Sequence, residues 1–314
     1  MQIFILILLV FVLAIAPFAQ LPPALTVSEV VNRASTRRLV YVDEFKNLIS
    51  QETKTFEIYD KKGAIRKRRT VDSTFLVYQL SRDEKRIAEF RNVISVDGKP
   101  LSSVDKRAAS LFESISRSES SKKELEKLQN ESLRFDEELF ITDLTLFQAV
   151  ALAENMRPYF EFRLAGKESI DGVEVYVLSY RQVKKSPYIF MDPKMQPTDG
   201  SLSVYFDVGR KFNGDAGERL SGTFWIDAST FQVRRELRAL TLKPDGVSTP
   251  VKFAETTFEY QNSDFGILTP QKITHVQYRI DQDKRTSSKE AVVAFVYDKF
   301  TKPDVEVRSS DVKH

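Results

Sequence analysis

The sequence predicts an α+β, β-rich fold: one large curved antiparallel sheet, a half-barrel, closed by helices. Three observations predict it. From Pro158 onward, apolar residues recur at every second position in segment after segment, with turn residues between them. Nearer the N-terminus, several stretches place apolar residues three and four apart, the period of helices. The strand segments number about ten or eleven, too many for a flat open sheet, so the sheet must curl and bury its inner face.

Ile3 to Ala16 is an unbroken apolar run that leads into Pro17-Phe18-Ala19. It has the length of a secretory core and is shorter than the ~20 residues of a membrane span. It predicts export, with residues 1–19 as a signal peptide and 20–314 as a single periplasmic or secreted domain. An uncleaved N-terminal anchor is the alternative, because no Lys or Arg precedes the run and Pro17 stands where a small residue is usual. The chain has no cysteine, which excludes disulfides, thiolate catalysis, Cys-ligated metals and a lipid-modified cysteine. A net charge of +3 over this length is too small to argue for nucleic acid.

Thr26-Val27-Ser28-Glu29 is a capping-box pattern and opens a helix, or helix pair, over Val27–Lys46. Ile49–Tyr59, Thr74–Leu80 and Phe90–Val96 read as strands, and Asp97-Gly98 as a tight turn. Val104, Ala108, Leu111, Phe112 and Ile115 share one helical face. Ser116–Glu131 is polar and reads as a mostly exposed helix or a flexible insertion, and Leu144–Asn155 as a third helix that ends before Pro158. Together these make a helical insertion at about 102–156. Strands then follow over Pro158–Leu164, Val173–Leu178, Leu202–Asp207, Thr223–Asp227, Gln232–Leu242, Phe253–Tyr260, Lys272–Ile280 and Ala291–Tyr297. The loop Lys184–Gly200 carries three prolines and reads as strand-free.

Little points to covalent chemistry. The two histidines are His275, alone in a strand, and His314, the last residue. No nucleophile elbow, phosphate loop, dinucleotide fingerprint or His-Glu-x-x-His helix occurs. Asp207–Glu218 has the length of a calcium loop, but Gly209 and Lys211 occupy ligand positions. No catalytic residue, metal or cofactor is therefore expected. Asp136-Glu137-Glu138 reads as a surface run. Lys61, Lys62, Arg66, Lys67, Arg68 and Arg69 form one basic patch around Gly63. It reads either as a contact for anionic head groups at a membrane surface or as a solvated hairpin tip.

Two segments carry a family resemblance. Gly166-Lys-Glu-Ser-Ile170-Asp-Gly172-Val-Glu-Val175-Tyr-Val-Leu178 is one, and Gly222-Thr-Phe-Trp225-Ile-Asp227-Ala-Ser-Thr230-Phe-Gln-Val233-Arg is the other. They resemble consecutive strands of exported lipoprotein-carrier-like proteins, the group of the outer-membrane lipoprotein-sorting chaperone and receptor. Asp227 and Thr230 read as the turn formers after the second. The resemblance spans about half the chain, roughly Pro158–Phe300, and beyond it follows the order of elements only. It implies a half-barrel cavity able to shelter acyl chains. Envelope-stress sensor domains share that fold, so the fold alone does not choose a function.

Three readings follow. The first is a non-enzymatic envelope binding protein that holds a lipid, an acyl chain or an apolar peptide segment, with Phe160, Phe162, Tyr176, Trp225 and Phe258 as candidate lining residues. The second is a structural or envelope-stress regulatory interaction protein with a filled core and no ligand. The third is a carboxylate-dependent hydrolase, which needs acidic side chains converging in one cleft. The partner in the first reading is a hydrophobic ligand or a lipoprotein.

Overall fold

A computed structural model describes residues 25–80, 86–139, 141, 144–191, 202–206, 219–243, 250–281 and 286–302. The N-terminal stretch 1–19, read above as a signal peptide, and the loop Asp207–Glu218 lie outside the described residues.

The first helix, α1 (Val27–Phe45), starts where the capping box places it: the Thr26 hydroxyl accepts from the Glu29 amide at 3.2 Å, and Glu29 accepts from the Thr26 amide at 2.8 Å. Thr26→Ala removes the hydroxyl that accepts from the Glu29 amide and should lower stability by about 1 kcal/mol, seen as a reduced urea midpoint at constant slope.

β1 (Ile49–Tyr59), β2 (Ile65–Gln79), β3 (Ile87–Val96) and the short β4 (Lys99–Pro100) follow α1. α2 (Val104–Ser116) and α3 (Ser121–Ser132) come next, then three single-turn 3-10 helices at Thr145–Phe147, Val150–Leu152 and Arg157–Tyr159. The remaining strands are β5 (Phe160–Ile170), β6 (Val173–Gln182), β7 (Ile189–Phe190), β8 (Val204–Tyr205), β9 (Arg219–Asp227), β10 (Val233–Leu242), β11 (Val251–Asn262), β12 (Leu268–Asp281) and β13 (Thr286–Tyr297).

Eleven of these strands form one antiparallel sheet in the order β4-β3-β2-β1-β13-β12-β11-β10-β9-β6-β5. The sheet stays open, with β4 at one edge and β5 at the other. The Asp-Gly turns are where the sequence puts them. Asp97 (φ 51°) with Gly98 (φ 73°) and Asp171 (φ 50°) with Gly172 (φ 78°) adopt the positive φ that tight hairpins require and that this residue pair tolerates. The strand expected at Leu202–Asp207 does not join the sheet. Val204–Tyr205 pairs instead, in parallel, with Ile189–Phe190 from the loop expected to be strand-free.

Burial separates the two faces of the sheet. The inner face carries Phe56, Phe75, Leu178, Phe224, Phe258, Ile273 and Phe295, all at most 1 % exposed, and α1 lies against it through Tyr41 and Phe45. A satellite core of Leu80, Phe90, Ile115 and Leu128 seats α2 and α3 on the other face of β2–β3. Their side chains also cover the β3 edge: Ser132 accepts from the Arg91 amide at 3.1 Å, and Arg107 donates to the Val93 carbonyl at 2.5 Å. A helix pair over an edge strand is one way a sheet avoids pairing with another chain.

The expected third helix, Leu144–Asn155, is not a helix. Gln148 is extended and Ala149 sits in the left-handed region at φ 46°, which divides the segment into separate 3-10 turns. The reason lies in its surroundings: side chains of the sheet and of α1 take up backbone groups that a helix would bond internally.

Candidate binding site

The segment 144–156 lies between α1 and the inner face of the sheet. Leu144, Leu146, Ala149, Val150, Ala151, Leu152, Ala153 and Met156 are all buried. Irregular backbone inside a core must find partners for its amides and carbonyls. Here the partners are ionised or hydroxyl-bearing side chains on two strands, β3 and β10, and on α1.

On β10, the Glu236 carboxylate accepts from the Ala149 amide at 3.0 Å, from the Tyr180 hydroxyl at 2.8 Å and from Arg238 at 2.8 and 3.0 Å. Arg238 also donates to the Phe147 carbonyl at 2.6 Å and lies 4.6 Å from the Phe258 ring centre. From α1, Arg38 donates to the Gln148 carbonyl at 3.0 Å, Tyr41 to the Thr145 carbonyl at 3.0 Å and Ser35 to the Leu152 carbonyl at 2.9 Å.

A second cluster sits on β1 and β3. Arg91 donates to Glu52 at 2.7 and 3.0 Å and to Glu89 at 2.8 Å. Glu89 in turn accepts from both the amide and the hydroxyl of Thr145, each at 2.6 Å. Burial works against the charges of Arg91 and Arg238, but their carboxylate partners hold both guanidiniums above the ordinary value. Arg38 has less compensation. Burial, followed by the neighbouring Arg238 charge, pulls it down to about 10. Charged side chains are almost never fully buried unless paired, so these clusters are commitments of the fold. Every carboxylate in them is tied to a guanidinium, an arrangement that suits positioning.

His275 on β12 is buried beside Thr256, with Nδ1 at 2.8 Å from the hydroxyl. Burial, only partly opposed by a hydrogen bond with Gln277 and reinforced by Arg238, lowers it from 6.5 to about 4. A base with a depressed folded-state value binds its proton more readily when unfolded, so the unfolded chain gains as pH falls. Stability should therefore drop between pH 6.5 and 4, by on the order of 3 kcal/mol from this group. Urea midpoints at pH 7 and pH 4.5 check it, and His275→Gln should flatten the difference.

The basic hairpin tip is answered within the chain. Arg66 pairs with Glu138 at 2.7 Å, Lys67 with Glu137 at 2.5 Å, Arg69 also with Glu137, and Arg68 with Glu57 at 2.6 Å. Lys61 and Lys62 remain exposed. The acidic run is thus a strap across the β1–β2 hairpin. Asp136, expected on the surface, is buried against Lys54 at 2.5 Å, and burial pushes the lysine down and the aspartate up.

Of the five candidate lining residues, Phe160, Phe162, Tyr176 and Phe258 face the main core. Phe162 is only partly buried there and lies beside Tyr180. Trp225 does not join them. Its neighbours Phe224 and Ile226 point inward, so strand alternation turns the indole to the opposite face, where it donates to Glu168 at 3.0 Å under Arg235. Asp227 caps the following turn, accepting from the Ser229 and Thr230 amides at 2.9 Å. The inward-facing charges at 52, 89, 91, 236 and 238 were not anticipated.

Against α1, between Arg37, Arg38, Tyr41, Gln148, Gln232 and Val233, a cavity of about 10 Å³ remains, room for one water. Among the described residues no group of three or more acidic, histidine or cysteine side chains is placed to hold a metal, and no helix is long and apolar enough to cross a membrane.

No family model matches the sequence, and no curated protein does. Solved structures do match. A DUF1329 family protein from Desulfovibrio piger is 13% identical, over 92% of this chain and 97% of its own, with a TM-score of 0.31. A LolA superfamily protein from Nitrosomonas europaea is 11% identical, over 90% and 96%, with a TM-score of 0.33. A domain from Vibrio parahaemolyticus with a provisional assignment to outer membrane lipoprotein sorting is 9% identical, over 90% and 96%, with a TM-score of 0.34. The last two stand in the lipoprotein-carrier-like group that the strand segments resemble.

Proposed function

We propose that this chain is an exported, non-enzymatic binding protein whose half-barrel holds an apolar cargo: a lipid, an acyl chain or an apolar peptide segment. One observation carries the reading. Beside α1, the apolar inner face of the sheet is covered by irregular chain, residues 144–156, instead of by a second regular helix. Such a segment keeps few hydrogen bonds of its own, so its place depends on the groove and can be given up to a competitor. Burying apolar surface, worth about 25 cal/mol per Å², would drive the exchange.

Native mass spectrometry of protein purified from an exporting host, followed by solvent extraction, tests this reading. A co-purifying apolar molecule in fixed stoichiometry is expected. A bare mass that stays unchanged after incubation with lipids and apolar peptides would sink it. Phe162→Asp should lose retained cargo, whereas Trp225→Asp, on the opposite face, should keep it. Contact with an anionic membrane surface would fall to Lys61 and Lys62, since the other four basic residues are paired internally.

The complete burial of Phe56, Phe75, Phe224, Phe258 and Phe295 on the inner face favours a second reading, an interaction protein with a permanent core. In that case residues 144–156 never leave, and their amides stay protected from exchange in the presence of every apolar probe.

A further inference from the structure

The groove's charges are aimed at amide groups. Glu89 accepts from the Thr145 amide and Glu236 from the Ala149 amide, so two carboxylates on distant strands read N–H groups four residues apart. Between them, Arg238 and Arg38 donate to the consecutive carbonyls of Phe147 and Gln148. Most of this recognition is of backbone, with the Thr145 hydroxyl on Glu89 as a side-chain contact beside it. The buried side chains held along with it are mostly small or aliphatic, Leu146, Val150, Ala151 and Leu152, together with the polar Thr145 and Gln148. Ala149 takes a positive φ that an L-residue seldom adopts, so the groove imposes the shape of its occupant.

We propose that the cargo is an apolar peptide segment of a partner protein, held by its backbone in the place of residues 144–152. This rests on the apolar-cargo reading above and narrows it. An alkyl chain offers no N–H to Glu89 or Glu236 and no carbonyl to Arg38 or Arg238. It would leave groups on both sides of the groove desolvated and short of partners, which a hydrocarbon cannot offset. A peptide backbone supplies all four.

The test uses the intact protein and three probes. One is a fluorescein-labelled peptide with the sequence of residues 141–156. The second is the same peptide N-methylated at the amides equivalent to Thr145 and Ala149. The third is cis-parinaric acid. Binding is read by fluorescence, and displacement by hydrogen exchange of the amides in 145–152. The first peptide should bind saturably and raise that exchange. The methylated one should bind at least about tenfold more weakly, because it cannot donate to either carboxylate. Parinaric acid should do neither. Equal binding of the two peptides overturns backbone recognition. Stoichiometric parinaric acid binding with raised exchange, and no peptide binding, overturns the peptide inference and leaves the apolar-cargo reading standing. No binding and no change in exchange with any probe overturns both.

Discussion

Glu236→Ala should destabilise the protein by about 3–5 kcal/mol. The carboxylate is completely buried and serves four donors: the Ala149 amide, the Tyr180 hydroxyl and two nitrogens of Arg238. Removing it leaves an uncompensated guanidinium in the core and an orphaned Ala149 amide in a buried segment. The partner substitution decides whether this is a charge effect. Arg238→Met placed on top of Glu236→Ala removes the stranded charge and should recover a large part of the loss, although the Phe147 carbonyl then loses its donor. Urea unfolding of the two single variants and the double variant measures the coupling. Additive losses would mean that Glu236 acts chiefly through Ala149 and Tyr180.

The second large effect is expected at Gly222. A Cβ there would lie 2.1 Å from the Leu237 carbonyl oxygen and 2.6 Å from two atoms of the Tyr180 ring end. One of those obstacles is backbone of the neighbouring strand β10, which cannot step aside without breaking the ladder. The other is the tyrosine whose hydroxyl feeds Glu236. Gly222→Ala should therefore cost about 3 kcal/mol, at the upper end of ordinary overpacking. Gly98→Ala is a useful contrast, since its Cβ would meet nothing within 4 Å and only its φ of 73° resists. Thermal melts that ranked the two in the opposite order would show that strand β9 can shift to accommodate a methyl group.

Much of this architecture is legible in the sequence because strand alternation is a local signal. β1 starts and ends at the residues expected, and β9 to β13 fall where period-two runs stand between turn residues. The capping box and both Asp-Gly turns act within four residues of themselves. The failures are long-range. Leu146, Phe147, Val150 and Ala153 have helical spacing, but Glu89, Glu236 and Arg238, far away in the chain, bind the backbone that a helix would use. The strap of Asp136, Glu137 and Glu138 across the hairpin joins residues some 70 to 82 positions apart. No local pattern reports such a pairing.

One signal of the site was present and went unread. Glu52-x-Lys54-x-Phe56, Glu89-x-Arg91-x-Val93 and Glu236-x-Arg238-x-Leu240 each put an acid, a base and a large apolar residue in the same alternation phase. In all three the apolar residue faces inward, and it carries the acid and the base to the inner face with it. The same phase argument would have turned Trp225 outward, given that Phe224 and Ile226 face in.

The sheet's strand order has a consequence for the birth of the molecule. β1 neighbours β13 at the middle of the sheet, so that Ser50 meets Asp298, 248 residues away. Local hairpins such as β2–β3 or β5–β6 can form early. The seam that joins the two halves must wait until nearly all of the chain is available. Rates fall as sequence separation between contacts grows, and this topology belongs with the slow folders. A chain that gains its central seam last stays uncommitted while it is made. On the export reading proposed above, in which the chain crosses a membrane before it folds, that delay is an asset.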